Sequence, residues 1–295
     1  SCEETDLRPS ENARRPHGFV FEGPSAAEGL VEPEPLTAMG RFVHEAAAVD
    51  PATGVVYLTE DAGDGLFYRF LPATRGQLNR GGRLQALALV RQDGADTRNW
   101  PAARGGAPDQ RVAPGEATPV RWIDLEDVEA PDGDLRLRGR RSGAAVFARG
   151  EGAAFAQTGR GGVIYFACTS GGAAELGQIW RYTPSRFEGR PEEAREPAML
   201  ELFVESMGQH QFDRVDNLVA SPLGDVVLAE DGSGEQFVRG VTPSGLIYPI
   251  ARTTLSEFCG PCFSPDGRTL FVNIQRPGIT LAVSGPWRTL RQDRP

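Results

Sequence analysis

A chain of 295 residues with 36 glycines, 23 prolines and a formal net charge of −9 has room for a large core and many tight turns. Its acidic balance excludes the basic face that a nucleic-acid binder normally presents, and no run approaches the roughly 18 apolar residues of a membrane span. Four cysteines (Cys2, Cys168, Cys259 and Cys262) are too few for a disulfide framework.

In chain order, Ser1-Cys-Glu-Glu-Thr reads as the end of one strand and His17 to Glu22 as the next. The sequence therefore starts inside a repeat, as a fragment or processed form would. It lacks an initial Met, so the missing export signal is uninformative. Residues 23–36, rich in Glu, Pro and Ala, read as a surface wrap. From Gly40 to Asp61 an apolar strand, the turn Asp50-Pro-Ala-Thr-Gly54 and a second strand follow, with Glu45 at one end and Glu60-Asp61 at the other. A hairpin sets those ends side by side, where acids repel unless a cation lies between them.

The pattern recurs. Glu151 to Gln157 is followed by Val163 to Cys168, Asp216 to Ala220 by Val226 to Glu230, and Cys259 to Phe263 by Leu270 to Ile274. Aligned on the turns, Glu45, Glu151, Asp216 and Cys259 are equivalent, as are Glu60, Cys168, Glu230 and Ile274. A third strand follows in each unit (Leu66 to Phe70, Gln178 to Tyr182, Gln236 to Gly240, Ile279 to Val283), and a fourth in three of them. Four-stranded units in series predict an all-β fold of β-propeller type, one domain over residues 1–295. Neighbouring units must stack to bury their faces, so the equivalent acids should converge near an axis.

Between the units, residues 91–118 have no clear period and read as an inter-blade insertion, mobile or folded onto the rim. Pro119 to Leu125 reads as an outlying strand, residues 127–143 as a polar stretch near the channel mouth, and residues 184–197 as a charged surface loop. The basic tail after Trp287 is expected to fray. Cys259-Gly-Pro-Cys262 imitates a thioredoxin-type pair but falls within a strand, so core packing is expected. His44 alternates away from Glu45 and reads as a packing residue; His17 and His210 read as surface residues. The glycines beside Glu151 are turn or close-approach positions, since no helix follows them.

Arg-Phe-Val-His-Glu-Ala, Asp-Pro-Ala-Thr-Gly-Val-Val-Tyr-Leu-Thr-Glu-Asp, Phe-Asp-Arg-Val-Asp-Asn-Leu and the run Gly260 to Thr280 together resemble the PhoX family of alkaline phosphatases over nearly the whole chain. The resemblance implies a six-bladed propeller, of which about four and a half blades are present here. It also implies a calcium and iron cluster, and export to the periplasm or beyond by the twin-arginine route. Metal ligands carried over by position are Cys2, Glu3, Glu45, Glu60, Asp61, Glu151, Asp216, Asn217 and Glu230, with Asp231 beside them; the thiolate suits iron and the oxygens suit calcium. Arg149 and Arg214 each stand two residues before an acid, on the same strand face by alternation, and would clamp a phosphate as the catalytic pair. Alternatively, each neutralises a nearby acid. No Ser or Thr has the context of an activated nucleophile, so metal-assisted hydrolysis of small-molecule phosphate monoesters is implied, by a monomer with neither nucleic acid nor membrane as partner. The alternatives are a non-enzymatic, calcium-stabilised binding propeller and a lactonase-like calcium propeller hydrolase. A chain lacking blades would lack any ligands they carry, so activity is expected of the parent protein first.

Overall fold

The computed structural model describes residues 1–10, 13–159 and 161–287. The chain divides into two compact units: residues 1–97, 118–150 and 185–199 form the first, and residues 98–117, 151–184 and 200 onward the second.

In the first unit β1 (His44–Val49), β2 (Val56–Glu60), β3 (Phe67–Pro72), β4 (Gly82–Leu89) and β5 (Ala117–Asp124) pair antiparallel in chain order. Every residue of β2 is buried, as expected of a strand covered on both faces. Its core gathers Val56, Leu58, Tyr68, Phe70 and Leu84 with Met39 and Phe42. Burying a side chain such as Leu58 contributes about 2 kcal/mol. The opening segment pairs through Cys2 and Val20, and the Glu3 N–H donates to the Phe19 carbonyl at 3.0 Å, so residues 1–20 pair locally.

In the second unit β6 (Gly150–Thr158), β7 (Gly161–Cys168), β8 (Gln178–Thr183) and β9 (Met199–Glu205) lie in the order β9-β8-β7-β6. A second sheet holds β10 (Val215–Ala220), β11 (Val226–Glu230), β12 (Gln236–Val241) and β13 (Ile247–Thr253), also in chain order. A third holds β14 (Phe258–Phe263), β15 (Thr269–Ile274) and β16 (Ile279–Ser284). These strands match the sequence repeats, and the outlying strand expected near Pro119 is β5. Turn chemistry explains why the hairpins close where they do. Asp50 accepts the Ala52 N–H and the Thr53 hydroxyl, both at 2.8 Å. In the later units Ser221 Oγ accepts from Leu223 and Asp225, and Asp266 Oδ1 from Ser264 and Arg268. Gly54, Gly224 and Gly267 finish these turns in left-handed conformations.

A feature invisible in the sequence recurs at the start of the first strand in three of the hairpins. His44 opposes Glu60 but Ala47 opposes Leu58, three steps against two. Val215 and Asn217 oppose Glu230 and Ala229, and Cys259 and Cys262 oppose Asn273 and Phe271. Each is a β-bulge carrying one extra residue.

Two readings of the sequence gain detail and one needs correction. Within residues 98–117 the chain is anchored: the Trp100 indole lies between the guanidinium groups of Arg98 and Arg104, each 4.2 Å from the ring centre, and donates to the Ser170 carbonyl at 2.6 Å. Asn99 donates to Glu205 at 2.5 Å and both donates to and accepts from the Val112 backbone. The polar stretch 127–143 contains a helix, α1 (Leu135–Arg141), which its Leu-Arg-Leu-Arg alternation disguised. Cys262 is exposed and Cys259 half-buried, so the Cys-Gly-Pro-Cys run is not core packing; Cys168 is buried. The tail after Trp287 lies outside the described residues.

Candidate functional site

The bulges place the acids. Glu45 sits in the bulge of β1, half-buried, and Asp216 is the extra residue in that of β10. Bulges re-aim side chains that strict alternation would send elsewhere. Glu151, buried, stands in β6 between two close-approach glycines. A Cβ at Gly150 would lie 3.3 Å from the Glu60 backbone, and one at Gly152 would lie 2.7 Å from the Asp216 carbonyl oxygen.

At the ends of the second strands, the acid pairs divide their labour. The first acid of each pair holds the strand that follows. Glu3 accepts the Gly18 and Phe19 N–H groups at 2.9 and 3.1 Å and contacts His17 Nδ1 at 2.8 Å. Glu60 accepts the Leu66 N–H at 3.0 Å and the Tyr68 hydroxyl at 2.8 Å. Glu230 accepts the Phe237 N–H at 2.9 Å and pairs with Arg239. Burial raises the Glu60 carboxyl to about 7 against the pull of its hydrogen bonds, and burial also raises that of Glu230. His17 thus has an acid partner that sequence spacing did not reveal.

The second acid of each pair has other company. Glu4 and Glu45 each bring a carboxylate oxygen within 4.8 Å of the other. Such a pair of hard oxygen donors suits a divalent cation, which offsets their repulsion. Glu4 was the residue that sequence reasoning passed over in favour of Glu3, although the repeat aligned it with Asp61. Cys2 packs against the core of its unit; burial pushes its thiol up, the amino terminus opposes this, and Glu45 adds to it. A thiol so placed becomes a ligand when a cation displaces its proton, which fits a metal neighbour.

Arg149 and Arg214 share a backbone state. Both are left-handed, with φ of 55° and 51°, which is uncommon outside glycine. Strand alternation therefore does not aim them, as the sequence had implied; a turned backbone does. The Arg149 N–H donates to the Ala62 carbonyl at 2.9 Å and that of Arg214 to the Leu176 carbonyl at 2.8 Å. Arg149 Nε and Nη2 donate to the two oxygens of Asp61 at 2.6 and 2.9 Å, so its acid partner is Asp61. Arg214 is exposed, and its carbonyl accepts the Asp231 N–H at 2.9 Å.

Glu257, two residues before Cys259, occupies the equivalent place in the last repeat. Its carbonyl accepts the Gln275 N–H at 3.1 Å, just as that of Arg214 accepts from Asp231. Burial, a hydrogen bond to Asp231 and the charges of Asp231 and Asp216 raise its carboxyl to about 7. Alignment with the arginine positions was the signal that would have found it. Asn217 accepts the Gly260 N–H at 2.7 Å. His44 is a packing residue as expected, fully buried and stacked on Phe42 with ring centres 3.5 Å apart. His210 is exposed.

Antiparallel hairpin units with acids at bulged strand openings define an all-β protein of β-propeller type. The chain belongs to the alkaline phosphatase PhoX family, whose model matches residues 3–278. Among solved structures, Pseudomonas fluorescens PhoX in complex with vanadate, a transition state analogue, shares the fold at a TM-score of 0.64 and 20% identity, over 88% of this chain and 53% of that one. This chain thus spans about half the length of that protein. The periplasmic gluconolactonase PpgL of Pseudomonas aeruginosa (TM-score 0.42, 15% identity, 90% of this chain and 75% of that one) is too remote to inform the site. So is the calcium-binding regucalcin of Agrobacterium tumefaciens (0.33, 14%, 81% and 84%). No curated protein sequence matches the chain.

Proposed function

We propose that the protein hydrolyses small-molecule phosphate monoesters at a metal centre, as an exported, periplasmic or secreted, monomeric enzyme. The observation that carries this reading is the shared left-handed state of Arg149 and Arg214, each two residues before an acid, in a member of a phosphatase family. Strain kept at two equivalent positions is a mark of function. Both guanidinium groups offer paired donors of the kind that fit phosphoryl oxygens. That a family structure holds vanadate supports a phosphoryl substrate.

Glu45, Glu151 and Asp216 would be the principal ligands, with Glu4, Asp61 and Asn217 as further oxygen donors for calcium. Cys2 would favour iron, and Glu3, Glu60 and Glu230 would stand behind them, holding the strands in place. Bound there, the metals would activate an oxygen nucleophile and neutralise phosphoryl charge. The chain's own part is to orient the ester: Asp61 fixes the Arg149 fork, and Arg149 and Arg214 hold the non-bridging oxygens as charge builds up. The test is release of phosphate from p-nitrophenyl phosphate by the full-length protein, with calcium and iron present, with and without chelator, and by its Arg149→Ala variant. Turnover that chelator stops and Arg149→Ala abolishes supports the reading; turnover indifferent to both removes it.

A further inference from the structure

The Cys259-Gly-Pro-Cys262 run lies in the first strand of the last hairpin, and nothing in phosphate hydrolysis requires it. In a regular strand, residues three apart face opposite sides and their Cα atoms are about 10 Å apart. The bulge changes both facts. Cys259 opposes Asn273 and Cys262 opposes Phe271, two residues apart on β15. Residues directly opposite across a ladder share a face, and so do residues two apart along a strand. Both cysteines therefore stand on one face, with Cα atoms held about 6.6 Å apart by the β15 spacing. A disulfide bridges Cα separations of about 4.4–6.8 Å.

That face is the more exposed one in this chain. Phe271 is 38% exposed and Cys262 exposed, while Leu270 and Val272, which alternate with Phe271, are buried. The bulge is held in place. Gly260 takes the left-handed φ of 58° that the extra residue demands, and its N–H donates to Asn217 Oδ1. The Asn273 amide donates to the Cys259 carbonyl at 3.3 Å.

We infer that Cys259 and Cys262 are a thiol–disulfide exchange site, closing reversibly into an intramolecular disulfide by reaction with small disulfides of the glutathione type. The exposed Cys262 thiolate attacks one sulfur of the small disulfide, whose S–S bond breaks and releases one thiolate. Cys259, half-buried on the same face, then attacks Cys262 Sγ and expels the second thiolate. The two cysteine protons end on the two released thiols, so two electrons pass from the protein to the small disulfide. Closure pulls on Gly260 and through it on Asn217, which links the sulfur state to β10.

The test equilibrates the folded chain in mixtures of reduced and oxidised glutathione, blocks free thiols with an alkylating agent, and weighs the tryptic peptide Thr253–Arg268, which carries both cysteines. The expected result is a peptide two mass units lighter and unalkylated. Its midpoint should lie at an oxidised-to-reduced glutathione ratio at least tenfold lower than that of the synthetic peptide 253–268. Cys259→Ser should accumulate a glutathione adduct on Cys262, and Cys262→Ser should react at least tenfold more slowly. Doubly alkylated peptide at every ratio, or a midpoint no lower than that of the free peptide, overturns the inference. Equal adduct rates in the two variants overturn the assigned order of attack. Circular dichroism melting of each variant confirms that the folded chain is what reacts.

Discussion

His44 and Glu60 oppose each other across the β1–β2 ladder, each at most 1% exposed, and each holds its proton state for the other's reason. Burial lowers the His44 imidazole to about 4 and raises the Glu60 carboxyl to about 7. Both charged forms are disfavoured by the same lack of solvent. His44 Nε2 meets the Gly40 carbonyl at 3.1 Å, while Glu60 serves Leu66 and Tyr68.

Their effects on stability oppose each other. Glu60, raised above its ordinary 4.5, gives stability that is full below 4.5 and lost as pH rises through about 7. His44, lowered below 6.5, gives stability that is full above 6.5 and lost as pH falls through about 4. Each spans roughly 3 kcal/mol at about 1.4 per unit. The wild type should therefore be nearly flat in stability between pH 4.5 and 6.5. Glu60→Gln should lose stability as that window is acidified, and His44→Phe as it is made alkaline. Urea unfolding at three pH values checks this; two parallel curves would sink it.

A second expectation concerns Arg69, whose side chain is 2% exposed. It pairs with Glu188 at 2.6 Å and Glu193 at 2.7 Å, and lies 4.5 Å from the Trp122 ring centre. Breaking such a buried pair from one side costs about 3–5 kcal/mol. Arg69→Met should lower stability by that much and expose residues 185–197 to protease. Adding Glu188→Gln should recover part of the loss. A simple sum of the two single effects would show that the pair is not coupled.

The left-handed arginine can be separated from its chemistry. Arg214→Gly should be about 1 kcal/mol more stable than Arg214→Ala, because alanine keeps the steric strain. Both should lose about a hundredfold or more in kcat for phosphate ester hydrolysis. A stable Arg214→Gly with full turnover would remove Arg214 from the clamp.

Calcium binding at the proposed site has a readout that needs no turnover. At a hundredfold excess over its Kd, a cation bound only by the folded state adds about 2.7 kcal/mol. Melting should rise with calcium in the wild type and in Arg149→Ala, but much less in Glu45→Gln or Glu4→Gln. An equal rise in all four proteins would place the cation elsewhere.

Much of the fold was legible because the hairpins repeat their turn chemistry and the buried strands their apolar runs. What escaped notice depends on one-residue shifts or on partners far along the chain. The sequence marks the acids Glu45 and Asp216 but not the bulges that aim them. Glu3 and Glu4 look interchangeable until the N–H groups of Gly18 and Phe19 claim one of them. The anchoring of Trp100 by Arg98 and Arg104 has no period to detect. The arginines were found for their spacing, and their turned backbones gave a different reason for it.

The extra residue between His44 and Ala47 makes chain length, more than side-chain identity, the guarded quantity there. Swapping one donor for another leaves the direction of approach intact. Deleting a single position would restore ordinary alternation and turn the upstream carboxylate to the opposite side of the sheet. A substitution at that opening therefore changes the donor, whereas a one-residue deletion changes where the donor points.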